Sequence, residues 1–207
     1  MYLPAHFTET DEAKIHAVIR ANSFATLVTF DGAAPFASHV PLVLQPARGP
    51  RGALIGHVAR ANPQWQHFAN DAEVLAIFQG PHAYISPSWY PTPNMVPTWN
   101  YVAVHVYGIP RIVEDTAAFA EILRLTIDEY ESGCPSPWRE ELPADHKAAM
   151  MKAIVTFEIE ITRVEAKFKL SQNRRPEDIA GAAAALSRSE NQTERAVAAL
   201  MQEQLKP

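Results

Sequence analysis

Six or seven short runs of strand-forming residues, most of them separated only by turns, set the narrowest bound on how this chain can fold. Phe24–Phe30 ends at Asp31-Gly32, a hairpin signal, and the chain returns through Pro35–Leu44. Arg48-Gly49-Pro50-Arg51-Gly52 turns it into Ala53–Val58, and Glu73–Phe78 reads as a strand stopped by Gly80-Pro81. Val96–Gly108 is the longest candidate, with a continuation through Gly108-Ile109-Pro110 to Val113 by way of a bulge. Val155–Thr162 is the last. Parallel neighbours need a crossover of a dozen residues or more, so hairpin-length turns imply antiparallel pairing. The pattern predicts a mainly β, α+β fold: an antiparallel barrel or sheet with helices at its ends.

Two strands carry unusual residues. In Pro35–Leu44, Phe36, Val40, Leu42 and Leu44 share one face, and His39, Pro41 and Val43 the other. Pro41 cannot donate to a ladder, so it marks an edge or a bulge. In Val96–Gly108 one face is Asn100, Val102, Val104 and Val106, an aliphatic core side. The other is Trp99, Tyr101, Ala103, His105 and Tyr107, which suits a ligand wall or a subunit interface.

The helix signals are local. Thr8-x-x-Asp11 resembles a capping box ahead of a helix over 11–21. Asn62-Pro63 opens a helix ending near Asn70, and Asp115 caps one over 116–130. A short helix from about Asp145 leads into the last strand, and two Ala-rich helices span roughly 176–187 and 190–205. The Pro-rich loop Ser86–Asn94 has the length of a functional loop and is too aromatic for disorder.

With 47% apolar residues in 207, the chain can bury a substantial core. Its net charge of −5 gives no basic footprint for nucleic acid. From Arg174 onward five cations (Arg174, Arg175, Arg188, Arg195, Lys206) face five anions (Glu177, Asp178, Glu190, Glu194, Glu203), so direct DNA binding by the tail is not expected. Cys134 is the single cysteine and forms no internal disulfide. With no leader-like segment and no membrane-length apolar run, a cytoplasmic protein is the expectation.

The chemistry concentrates at Gly56–Trp65. A strand runs into a helix start, with His57 and Arg60 beside the positive end of the helix dipole. Free N–H groups and a fork-shaped cation make a phosphate corner, without either usual Gly-rich phosphate loop. The alternative is a surface arginine and a core histidine. Lys167, Lys169, Ser171 and Gln172 form a second polar cluster, in which two lysines on one face can approach one anion or can simply be solvated. The eight histidines show no metal-ligand spacing, so no metal site is expected. No GxSxG turn or acid–base pair names a catalytic residue, and Cys134 has no activating neighbour in sequence.

Several segments together resemble the PaiB family of FMN-binding negative transcriptional regulators. They are Met1–Pro4 with His6-Phe7, His57-x-Ala59–Trp65, Tyr84–Tyr90, Val96–Tyr101 and Lys169–Asn173. The resemblance runs in order to about residue 173 and implies a six-stranded antiparallel split β-barrel with flanking helices, of the group that includes pyridoxamine-phosphate oxidase. It implies a homodimer with FMN at the interface, a barrel domain over 1–173 and a helical extension over 174–207 packing on the barrel or the partner. Carried over, Arg60 meets the FMN phosphate, with His57 and Asn62 beside it. His39, Val40, Pro41 and Leu42 run along the isoalloxazine; Lys169, Ser171 and Gln172 approach from the late strand; Asn100 and Tyr101 approach from the other subunit.

Two further functions stay open: a flavin-dependent reductase or oxidase acting on a small molecule near Trp89, Tyr90 and Trp99, and a haem protein using His39, His57 or His105. An effect on transcription is expected to be indirect.

Overall fold

The computed structural model describes residues 1–138, 143 and 149–205. Among them, β1 (Thr8–Glu9), β2 (Phe24–Phe30), β3 (Pro35–Pro41), β4 (Val43–Gln45), β5 (Ala53–Ala59), β6 (Val74–Ile85), β7 (Thr98–Ile112) and β8 (Ile154–Lys169) form one sheet. Its order is β3-β2-β6-β7-β8-β5-β4, with β1 on β8, and it is not closed into a barrel. The helices are α1 (Glu12–Ala21), α2 (Thr116–Glu131), α3 (Pro176–Leu186) and α4 (Gln192–Glu203), with a 3-10 helix at Pro63–Asn70. The helix expected from about Asp145 begins outside the described residues.

Eight strands replace the expected six for two reasons. The N-terminal segment contributes β1, pairing Thr8 with Lys167 and Glu9 with Ala166. The return run is cut at Leu42, so β3 pairs with β2 and β4 pairs with β5. Pro41 is the last residue of β3, where its missing donor costs no ladder bond, and the Leu42 N–H turns to Ser23 O at 2.9 Å. The two edges of the sheet are therefore two halves of one chain segment.

β6 and β8 outrun their expected ends at Phe78 and Thr162, reaching Ile85 and Lys169, while β7 ends at Ile112, within its expected reach. β6 continues through Gly80-Pro81 to Ile85, and its buried positions slip phase across Pro81-His82, as at a bulge. β7 passes straight through Gly108, where a Cβ would lie 2.4 Å from Glu160 O on β8, so only glycine fits. The cap of α1 is Asp11, whose Oδ1 accepts from Ala13 N and Lys14 N, and Thr8 belongs to β1 instead. Asp115 caps α2 as expected, accepting from Ala118 N at 2.9 Å.

The chain forms two compact units that interleave in sequence. The first is Met1–Ala21, Gln79–Val104 and Glu165–Pro207; the second is Asn22–Phe78 and His105–Val164. In the second, α2 lays Ile122 on Val43 and Ile55, while Phe68 meets Phe157 edge to face at 5.1 Å. In the first, α3 packs so closely on the Pro-rich loop that a Cβ on Gly181 would stand 2.3 Å from Trp89 O. The buried Asp178 carboxylate ties α3 to the same loop, accepting from Thr92 N at 3.0 Å and Thr92 Oγ1 at 2.8 Å.

Candidate flavin site

In the second unit β5 delivers the candidate corner. Arg60 leaves the end of β5 and folds back on the chain entering β8. Its Nε donates to Lys152 O and one Nη to Ile154 O, both at 2.9 Å, while its backbone N–H donates to Ala153 O at 2.8 Å. The guanidinium lies 6.0 Å from the Trp65 ring, and Trp65 Nε1 donates to Arg60 O at 3.0 Å. The fork is thus aimed by backbone and indole, and its other Nη has no hydrogen bond among the described residues.

Arg60, Trp65, Lys152, Phe119, Val113 and Thr156 are among the residues lining a cleft of about 360 Å³. That volume falls within the ordinary range of small-molecule sites. Lys152, outside every sequence motif, is the residue that sequence reasoning passes over; its position just ahead of β8 was the only signal.

Asn62 caps the 3-10 helix, its Oδ1 accepting from Gln64 N at 3.0 Å and its Nδ2 donating to Ser38 Oγ at 2.9 Å. Pro63 has no N–H and Gln64 spends its own on the cap. The first turn therefore offers fewer donors than expected, and the cation rather than the helix end dominates the corner.

His57 stands opposite Thr156 in the β5–β8 register. Its Nδ1 is buried without a partner among the described residues, and burial pushes the imidazole below its usual pKa. Burial thus disfavours the charged ring, and one of its hydrogen-bonding positions is unfilled among the described residues. Gly56 lets β5 approach Pro41-Leu42, since a Cβ would come within 2.9 Å of the Leu42 side chain.

Of the predicted edge residues, Val40 and Leu42 are buried and Pro41 is half-buried, while His39 is exposed, its Nδ1 3.1 Å from Thr26 Oγ1. Val40 and Leu42 thus support the edge from behind.

The remaining predicted residues lie in the first unit. Asn100 and Tyr101 point to opposite faces of β7. Asn100 is fully buried and donates to Ser171 Oγ at 2.9 Å and Met201 Sδ at 3.3 Å. Ser171 adopts φ +69°, the left-handed region. Gln172 folds back on its own turn, accepting from Leu170 N at 2.7 Å and donating to Phe168 O. These three polar side chains are occupied in shaping the exit from β8.

Lys169 donates to Thr98 Oγ1 and Trp99 O, and Lys167 Nζ lies 5.4 Å from the Tyr101 ring. Burial first, then the charges of Lys167 and Arg174, hold the Lys169 ammonium below the usual lysine pKa. Of the expected substrate aromatics, Tyr90 is buried, and the ring neighbours of Trp99 are His82 and Tyr84. No cluster of metal-ligating side chains occurs among the described residues. None of their helices is long and apolar enough to cross a membrane, which says nothing of strands.

A mostly antiparallel sheet with flanking helices, not closed into a barrel, is shared with proteins of the split-barrel, pyridoxamine-phosphate-oxidase-like fold. The FAD and heme binding protein from Mycobacterium smegmatis shares it with a TM-score of 0.60 at 15% identity, over 84% of this chain and 78% of that one. The flavocytochrome Anf3 from Azotobacter vinelandii does so at 0.59 and 16%, over 78% and 69%. Residues 1–163 match the family described as "Putative FMN-binding domain". The Bacillus subtilis protein named protease synthase and sporulation protein PAI 2 is 39% identical over 100% of this chain and 99% of its own. The chain belongs to this PaiB family of FMN-binding-domain proteins.

Proposed function

We propose that this protein binds FMN, with the phosphate held by Arg60. The observation carrying this reading is the anchored guanidinium: two carbonyls and an indole hold the fork of a residue that lines the cleft. A charge-assisted contact to phosphate contributes about 1.5–3 kcal/mol. Lys152, on the same cleft, adds positive charge. The unfilled His57 Nδ1 suits a hydroxyl donor such as a ribityl chain supplies. Bound flavin would supply the redox chemistry, and the protein its placement.

The reading includes a homodimer through the outer face of β2, β3 and β6. There Phe24 and Phe30 are 70% and 55% exposed, and by register they share a face with Val28, Leu75 and Ile77. Apolar strips of this kind are rarely left to water. Phe24→Lys with Phe30→Lys should convert a dimer to a monomer in size-exclusion chromatography with light scattering.

Any effect on transcription is indirect in this reading, in keeping with the chain's net charge of −5. The deciding experiment is an FMN titration of the purified protein. Saturable binding, lost or much weakened in Arg60→Ala, supports the proposal; a folded protein that neither carries nor takes up FMN overturns it.

A further inference from the structure

The first unit buries positive charge that the FMN reading does not use. Lys167 is 6% exposed; its Nζ donates to Tyr2 O at 3.0 Å and lies 5.3 Å from the Tyr2 ring. Lys169 is half-buried, 5.9 Å from the Phe7 ring, and among the described residues it is bonded to the neutral oxygens of Thr98 and Trp99. Among the described residues no carboxylate stands within ion-pair distance of either lysine. Arg174 adds a third charge felt by Lys169. Ring faces and carbonyls offset part of the cost of removing ammonium groups from water, but a buried cation is ordinarily paired.

Beside this charge lies an open aromatic platform. Trp99 is 52% exposed and Tyr84 43%, their rings 6.1 Å apart in an edge-on arrangement, with His82 at 6.2 Å from Trp99. The Trp99 backbone carbonyl is an acceptor for Lys169, so the residue that carries the exposed indole is tied through its main chain to the lysine. A cation lacking an anion next to an indole lacking a cover defines the complement: a flat ring bearing a negative group.

We propose that Trp99, Tyr84 and Lys169 bind a small aromatic carboxylate, its ring on Trp99 and its charge on Lys169, with Lys167 behind. None of these residues is among those of the Arg60 cleft named above. FMN is also a planar anion, so the test must separate the two.

The test is calorimetric titration of the full chain with 4-nitrobenzoate and its neutral counterpart 4-nitrobenzamide. The acid should bind saturably and about tenfold or more tighter than the amide. Lys169→Met should abolish that preference and Lys169→Arg should retain it. Trp99→Ala should weaken both probes, and Arg60→Ala should change neither. The ligand-free Lys169→Met protein should melt no lower than wild type, because it loses a poorly compensated charge. If Lys169→Met fails to fold, Trp99→Ala, at an exposed side chain, carries the test alone. Equal binding of acid and amide overturns the proposal, as does indifference to Trp99→Ala. One-for-one displacement of the acid by FMN assigns the platform to the flavin and also overturns it. Failure of the Arg60 reading shows separately, in FMN uptake by the Arg60 variant.

Discussion

Arg60, pinned on two backbone carbonyls, and Lys169, pinned on one carbonyl and the Thr98 hydroxyl, both lack a carboxylate partner among the described residues, yet they hold charge in opposite ways. Arg60 is exposed, permanently charged and forked, so two carbonyls can aim it while donors remain for a ligand. Lys169 is half-buried beside another buried lysine, and its ammonium is disfavoured until an anion arrives. A guanidinium fixed this way is preorganised; an ammonium fixed this way is conditional.

The sharpest way to break this contrast is to remove each cation and measure FMN affinity. Arg60→Ala should weaken FMN by about 1.5–3 kcal/mol, roughly ten- to a hundredfold in the dissociation constant. Lys169→Met should move it less than about threefold. Equal losses would merge the two cations into one site.

Next in size is the turn behind Lys169. Asn100→Leu strands the Ser171 hydroxyl and should cost about 1–3 kcal/mol in urea denaturation, with FMN affinity unchanged. At Ser171 itself the left-handed φ makes glycine the milder change. Ser171→Gly should stay more stable than Ser171→Ala by about 1 kcal/mol, and the reverse order would deny the strain.

The two regions also divide by pH. His57 has a lowered folded-state pKa, so between that value and 6.5 the unfolded chain binds more protons. Its contribution is present above pH about 6.5 and is lost as pH falls toward the folded value. His57→Gln should flatten the acid limb of a stability-versus-pH curve; an unchanged limb would place the titration elsewhere. The smallest effect should come from Arg48→Ala, which removes partly exposed ion pairs to Glu121 and Glu158, within about 1 kcal/mol in the same denaturation assay.

What could be read from the sequence followed locality. The hairpin at Asp31-Gly32, the Asp115 cap and the alternation of β8 are short-range signals, and they appear as expected except at Thr156, which is buried. The continuation of β6 through Gly80-Pro81 and the formation of β1 depend on neighbours distant in sequence, which no turn signal reports. The same limit applied at the candidate site. Arg60 and Asn62 stood out by motif, but the carbonyls that aim Arg60 come from residues 152 and 154. The burial of Asn100 was legible from its place on the aliphatic face; its partner on α4 was not.

The break at Leu42 bears on how the chain reaches this state. β2–β3 and β4–β5 are hairpins of short sequence separation that share one segment, so both can form early at little loop-closure cost. The pairing of Ala53 with Glu160 joins distant parts of the chain and must wait. Leu42 is then the joint between two early hairpins. A substitution that stiffens it should slow refolding more than it speeds unfolding.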